Sequence, residues 1–305
     1  ARQFNRRGEF DAHRTFGDLP DNLDNPDLEF EITTHTADLV WSHKSVHHFS
    51  GELGTHFMHQ INTTDRGALI PNFESYGGGV FWIERWNNYP FPLELEGGIR
   101  YDFKHLDIGY QGNEWIGDKL DFQNVSASFG AIYRAGKFVK IRLHYGSAWR
   151  SPHVNELYSD GVHHGSASYE KGRVDLKPER ANNTSLSFGF EKEKLLLNLS
   201  MYYNHIKDYI FLEPQESPVL TIRGAFPAFF YEQADARILG MDWSASYQLM
   251  TGLYLNSAIS VLRGKNKSLE DDLFFMPADQ LRHSLKYVFK EEQLKNNAPF
   301  VSITM

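Results

Sequence analysis

This 305-residue sequence predicts an all-β chain whose antiparallel strands form part of a membrane-spanning barrel wall. Three observations carry that prediction. Apolar residues recur with a period of two almost throughout, the opposite face of the same strands carries charge in mid-strand, and short connections alternate with long ones along the chain. Any half-buried sheet shows the first. The second inverts the usual order, because a barrel in lipid turns its apolar side chains outward and encloses a polar, wet lumen. The third separates such a barrel from a soluble sandwich, which mixes its loop lengths, whereas outer-membrane barrels have short periplasmic turns and long extracellular loops.

Taken in order, the runs and breaks place 13 strands near residues 2–11, 28–41, 47–59, 74–86, 91–103, 120–133, 138–149, 182–190, 195–210, 231–248, 253–262, 279–289 and 297–305. In the fourth, Gly77-Gly78-Gly79 blurs the assignment of faces. In the fifth, Leu93, Leu95, Gly97, Ile99 and Tyr101 oppose Glu94, Glu96, Gly98, Arg100 and Asp102. The seventh sets Val139, Ile141, Leu143 and Tyr145 against Lys140, Arg142, His144 and Gly146. The ninth sets Leu195, Leu197, Leu199, Met201 and Tyr203 against Leu196, Asn198, Ser200, Tyr202 and Asn204. Short polar links fall near 42–46, 87–90, 134–137, 191–194, 249–252 and 290–296. Long ones fall near 12–27, 60–73, 104–119, 150–181, 211–230 and 263–278. No helix-period segment of useful length competes with these runs.

Composition agrees without deciding. Charged residues at 23% and a mean hydropathy of -0.48 exclude a helical membrane protein. No apolar run approaches the ~20 residues that a transmembrane helix needs. An aromatic content of 14% with 24 glycines suits strands that end in interfacial girdles and turn tightly. The absence of cysteine fits export through an oxidising periplasm. A net charge of -8 argues against nucleic acid as a partner. No signal peptide begins at Ala1, so the expectation is a mature chain or an internal fragment.

One loop stands out. Ala148-Trp149-Arg150-Ser151-Pro152-His153-Val154-Asn155-Glu156-Leu157-Tyr158 is answered by Leu176-Lys177-Pro178-Glu179, with histidine and glycine between them. The pair resembles the signature of TonB-dependent outer-membrane receptors, in which an aromatic-Arg-small-Pro box followed by Glu-Leu ends one strand and a Leu-Lys-Pro-Glu box opens the next. Trp149 stands where that family usually has Phe, and Arg173-Val174 where it usually has Asn-Pro. Leu69-Ile70-Pro71-Asn72-Phe73 and the segment from Tyr76 to Trp86 are similar to such barrels too.

The resemblance implies about 13 strands of a 22-strand barrel, residues 1–305 being part of that one domain, with the family's plug and any second domain absent from this chain. It implies the outer membrane of a Gram-negative bacterium, lipid around the wall, and TonB as energising partner through the plug. The implied function is active uptake of a scarce nutrient, foremost a ferric siderophore or other iron complex. A haem or cobalamin receptor is the alternative within the family, and a passive porin or structural barrel the alternative outside it. No cofactor is implied; haem would be cargo.

Candidate capture residues lie in the loop between the boxes: Arg150, His153, Tyr158, His163 and His164. Neutral imidazole is a haem or metal ligand, and haem receptors of this family place a histidine between their boxes. A His-His pair is equally a common polar loop feature. Arg150 and Glu156 can steer an anionic ligand or pair with each other, and Glu179 can hold the loop base; the structural role is the stronger expectation. Pro152 and Pro178, unable to donate to a ladder, mark strand ends. The aromatic run from Phe226 to Tyr231 suits either ligand stacking or, from Phe229 to Tyr231, an upper girdle, the second being favoured. Asp271-Asp272 and the stretch from Asp21 to Asp27 have oxygens suited to calcium but read as solvated loops, and no metal spacing or catalytic constellation is present.

Overall fold

The computed structural model describes residues 1–9, 28–66, 69–88, 90–221, 224–268, 270–274, 276–289 and 300–305. The stretch from Asp21 to Asp27 and the links near 12–27 and 290–296 lie outside these. The first strands are β1 (Arg2–Glu9), β2 (Leu28–Val46), β3 (Phe49–Arg66), β4 (Phe73–Asn87) and β5 (Leu93–Ile108). A small hairpin, β6 (Tyr110–Gln111) and β7 (Glu114–Trp115), precedes β8 (Lys119–Ala135) and β9 (Val139–Arg150). Then come the helix α1 (Val154–Tyr158), the hairpin β10 (Asp160–His163) and β11 (Ser168–Lys171), and the strands β12 (Glu179–Lys192) and β13 (Leu195–Pro214). The ribbon β14 (Val219–Thr221) and β15 (Gly224–Phe226) leads into β16 (Ala228–Met250), β17 (Leu253–Asn266), β18 (Gln280–Val288) and β19 (Phe300–Thr304).

Thirteen of these form one wall in the order β1-β2-β3-β4-β5-β8-β9-β12-β13-β16-β17-β18-β19, every neighbour antiparallel. Among the described residues β1 pairs only with β2 and β19 only with β18. The 13 expected strands are all there, and most run further toward the long loops than the sequence suggested.

Register settles the faces. Ile141, Phe188, Leu199, Trp243, Ile259 and Leu281 follow one another across six strands as direct partners. One residue along, the row reads Arg142, Ser187, Ser200, Asp242, Ser260 and Gln280. Because successive residues point to opposite faces, the wall is apolar on one side and polar on the other across its width. The polar row is knitted by its own bonds, Ser187 to Ser200 at 2.9 Å and Ser260 Oγ to Asp242 at 2.6 Å. A one-layer wall has no core behind it, so Leu39 and Leu281 stay 71% and 62% exposed; this is surface meant for lipid.

One sequence expectation needs correction. The first short link is not 42–46: β2 and β3 stay paired down to Val46 and Phe49, and the turn is His47-His48, both at positive φ. That conformation suits the twist of a two-residue hairpin. The glycines of β4 now have reasons, since a Cβ on Gly78 would lie 3.0 Å from the Phe103 ring and one on Gly79 would lie 2.3 Å from the Asp102 carboxylate. Three of the long links, near 104–119, 150–181 and 211–230, carry structure of their own, namely β6–β7, α1 with β10–β11, and β14–β15, and α1 is only five residues long.

Candidate functional site

The loop between the two boxes folds inward and makes the larger of two apolar clusters among the described residues. Leu106, Ile108 and Ile210 from the wall meet Val154, Leu157, Tyr158 and Leu176 from the loop, with Phe73, Ile116, Leu120 and Tyr231 around them. Leu106 and Ile108 share the strand face of Lys104 and Asp102, so the cluster sits on the lumen side. Val154, Leu157 and Tyr158 are spaced i, i+3, i+4, which puts them on one helical face; α1 forms because that face has somewhere to go.

An arginine and two carboxylates fix the base of the loop. Arg150, at the end of β9, donates Nη1–H to both oxygens of Glu156 at 2.9 and 2.7 Å and Nε–H to Glu179 at 2.9 Å. Glu156 also accepts the backbone N–H of His153 at 2.7 Å, closing the first turn of α1. The other oxygen of Glu179 accepts from the backbone of Ile210 at 2.6 Å. Both carboxylates are nearly buried, with side-chain exposures of 11% and 13%, while Arg150 keeps 34%. Arg150, Glu156 and Glu179 thus hold the loop, as the structural expectation had it.

The remaining box residues serve the same end. Lys104 Nζ donates to Ser151 Oγ at 3.2 Å, the Trp149 indole N–H points at Asp102 at 3.4 Å, and Pro152 is fully buried. Gln233 of β16 donates to the carbonyl of Lys177 at 2.7 Å and accepts its N–H at 3.0 Å, fixing the second box just before Pro178. Three more residues matter here, of which the sequence motif marks only Arg173. Gly172 is required because a Cβ would fall 2.5 Å from the backbone of Leu157. Arg173, where the family signature differs, pairs with Glu232 and, at 3.0 Å, with Asp175. Gln111 reaches from the β6–β7 hairpin to the carbonyl of Tyr158 at 2.9 Å. Leu157, Glu232 and Tyr158, the partners that matter here, lie 15 to 59 residues away, beyond a local pattern.

The five capture candidates separate. Tyr158 is buried and donates its hydroxyl to Asp118 at 2.7 Å; burial, then that bond, pushes its pKa up. It is an anchor and not an open contact. His153 caps α1 with one edge in solvent, and the protein packed around the rest holds its pKa below the usual value, Arg150 and Lys104 adding to this against the pull of Glu156. His163 and His164 stand at the tip of the β10–β11 hairpin, where His163 Nδ1–H donates to Glu170 at 2.7 Å. Across that hairpin Tyr169 bonds Asp160 and, chiefly through burial, is pushed up to about 12. The hairpin is held in turn by parallel pairing of β11 with β16, Tyr169 to Ala228 through Lys171 to Phe230. The run from Phe226 to Tyr231 is not a girdle throughout: Phe226 is buried, and Tyr231 packs on the loop cluster with its hydroxyl accepting from Asn155 at 3.0 Å.

A wall with an apolar outer face and a loop folded over its lumen defines a membrane receptor or pore class. The comparisons name the family. Residues 2–295 match the model described as "TonB dependent receptor-like, beta-barrel", so the chain belongs to that family, which comprises outer-membrane receptors and transporters of Gram-negative bacteria and not enzymes. It is 22% identical over 289 residues to the Heme/hemopexin utilization protein C of Haemophilus influenzae, covering 86% of this chain and 39% of that protein. Among solved structures it is similar to the copper transporter OprC, with a TM-score of 0.70, 19% identity and coverage of 91% of this chain and 44% of the other. It is also similar to the Serratia marcescens hemophore receptor HasR, solved with its hemophore HasA and heme, with a TM-score of 0.66, 18% identity, and coverage of 85% and 50%. The chain thus spans half or less of the length of each of these.

Proposed function

We propose that this chain supplies part of the wall and the main capture loop of a receptor that takes up an iron complex across the outer membrane, energised through TonB. The outer membrane holds no ATP, so an uphill step there needs energy delivered from the inner membrane. The observation that carries the reading is the Arg150–Glu156–Glu179 clasp, which fixes a 28-residue excursion between β9 and β12 over the lumen with its histidine hairpin at the tip. Rigid walls with recognition on anchored loops is how barrels divide the work.

Of the iron chemistries, a ferric siderophore is the expectation from the family alone, and haem is the one that a specific observation favours. His163 donates Nδ1–H to Glu170 at 2.7 Å. Imidazoles that ligate metals are commonly oriented and made more basic by such a bond from the other ring nitrogen to a carboxylate. The haem-related names of two of the relatives above support the same choice. Haem titration of the full receptor is expected to give a Soret shift that His163→Ala with His164→Ala abolishes, while ferric siderophores leave no saturable signal. Haem binding that survives the double change, together with siderophore uptake that stops when residues 151–178 are deleted, would replace haem by the siderophore reading. Unchanged uptake of both after that deletion would remove the loop from capture altogether.

A further inference from the structure

On the lipid-facing side, near the end where the short turns lie, the wall carries a histidine–carboxylate pair that the uptake function does not use. His43, Gly51, Glu84 and Gly97 follow one another as direct partners across β2, β3, β4 and β5. They belong to the apolar face, because two residues away in β4 stand Trp82 and Trp86, which pair with Leu53 and Phe49 in β3 and with Ile99 and Leu95 in β5. A carboxylate turned toward lipid carries a cost, and here it is partly offset. His43 Nε2–H donates to Glu84 at 3.1 Å and the Trp82 indole N–H donates to it at 3.2 Å. The other ring nitrogen of His43 faces the carbonyl of Lys44 at 3.0 Å.

Glycines on either side leave this pair open. At Gly51 a Cβ would meet the backbone carbonyl of Ile83 at 2.4 Å and the Glu84 carboxylate at 2.6 Å, so a larger residue would crowd the acid there. At Gly97 the nearest atom to a Cβ would be 4.0 Å away, and the space is a cleft of about 670 Å³ between Trp82, Trp86, Leu95, Ile99 and Phe129, with Glu84 at its edge. Glu84 is three residues from the end of β4, so at ~3.3 Å per residue along a tilted strand it sits some 7–10 Å from the turn end of the wall.

We infer that this cleft is a specific site for a zwitterionic phospholipid with a primary ammonium head, phosphatidylethanolamine, from the inner leaflet of the outer membrane. The ammonium would donate to Glu84 at the edge of the cleft, and one acyl chain would fill the cleft over Gly97 toward Ile99. The Glu84 carboxylate at the edge of an apolar cleft matches a primary ammonium carried on an acyl chain, which is the complementarity that selects this lipid. An anionic phosphatidylglycerol would bring its phosphate with no ammonium for Glu84.

The test uses the full receptor in detergent, stripped of lipid, then offered equal phosphatidylethanolamine and phosphatidylglycerol and read by native mass spectrometry. Several-fold preferential retention of phosphatidylethanolamine is expected. Glu84→Gln should erase the preference, and Gly97→Leu, whose side chain has room to fill the cleft, should lower retention of that lipid while the barrel keeps its heat-modifiable mobility on gels. Equal retention of the two lipids by the unmodified receptor, or a preference that persists in both variants, overturns the inference.

Discussion

Arg150→Met removes the centre of the clasp while keeping a long side chain in its place. Arg150 makes charge-assisted bonds to two carboxylates, Glu156 and Glu179, both nearly buried. A hydrogen bond to a charged group contributes ~1.5–3 kcal/mol, so two such contacts come to roughly 3–6 kcal/mol before solvent is considered. Arg150 keeps 34% of its side-chain surface in water, and screening at that level brings the expected loss to about 2–4 kcal/mol. The loss should be local, because the wall strands on each side are held by full ladders, β9 to β12 over 12 residue pairs and β12 to β13 over 13. At ~1.4 kcal/mol per factor of ten, the population of the undocked loop should rise roughly 30- to 700-fold. Amide hydrogen exchange resolved by peptide is the assay. Residues 151–178 should exchange faster by about that factor, while peptides of β12 and β13 stay unchanged. Unaltered exchange in 151–178 would show that the clasp does not hold the loop. Equal acceleration in the wall would show that it holds the barrel instead.

Three further outcomes follow from the same geometry. Gly172→Ala, forced against the backbone of Leu157, should cost about 1–3 kcal/mol of loop docking and show as faster protease cleavage between residues 151 and 178. Leu186→Arg, on the lipid face, should lower folding stability in vesicles by ~2–4 kcal/mol in a urea titration, whereas Ser187→Arg, facing the lumen, should cost little; equal costs would reverse the assignment of faces. The depressed pKa of His153 fixes the sign of a pH effect. The undocked loop binds a proton more readily than the docked one, so docking weakens as pH falls below the ordinary histidine value of 6.5. Protease protection of the loop should therefore drop between pH 7.5 and 5.5, and His153→Gln should flatten that dependence.

The wall was readable because its signal is local. A strand committed to lipid on one side and water on the other writes period two into its own residues, as in Leu195 to Asn204, and needs no knowledge of its neighbours. Where that alternation lapses, as at Gly77-Gly78-Gly79, the reason lies on the next strand, in Phe103 and Asp102, and could not be seen. The clasp was half legible: Arg150 and Glu156 are near in sequence, and the proline boxes flagged Glu179. The short helix carried a readable i, i+3, i+4 trio in Val154, Leu157 and Tyr158, but five residues are too few to stand out from a loop. Tyr158 looked like a ligand contact because nothing in the sequence brings Asp118 to its hydroxyl or Leu106 to its ring. Arg173, Gln233 and Gln111 act on partners 47 to 59 residues away, beyond any pattern.

The short parallel pairing of β11 with β16 has a mechanical meaning. It is the one place where the box loop is bonded along its backbone to a wall strand other than those it joins, and it lies directly beneath the turn that bears His163. β16 begins where the next long loop ends, so the pairing from Tyr169–Ala228 to Lys171–Phe230 ties two extracellular excursions together, and the Arg173–Glu232 pair adds a second tie alongside. The two excursions are thereby joined through one strand: β11 is bonded to β16 on one side and to the β10 segment that carries His163 on the other, so neither can shift along the wall without straining the other.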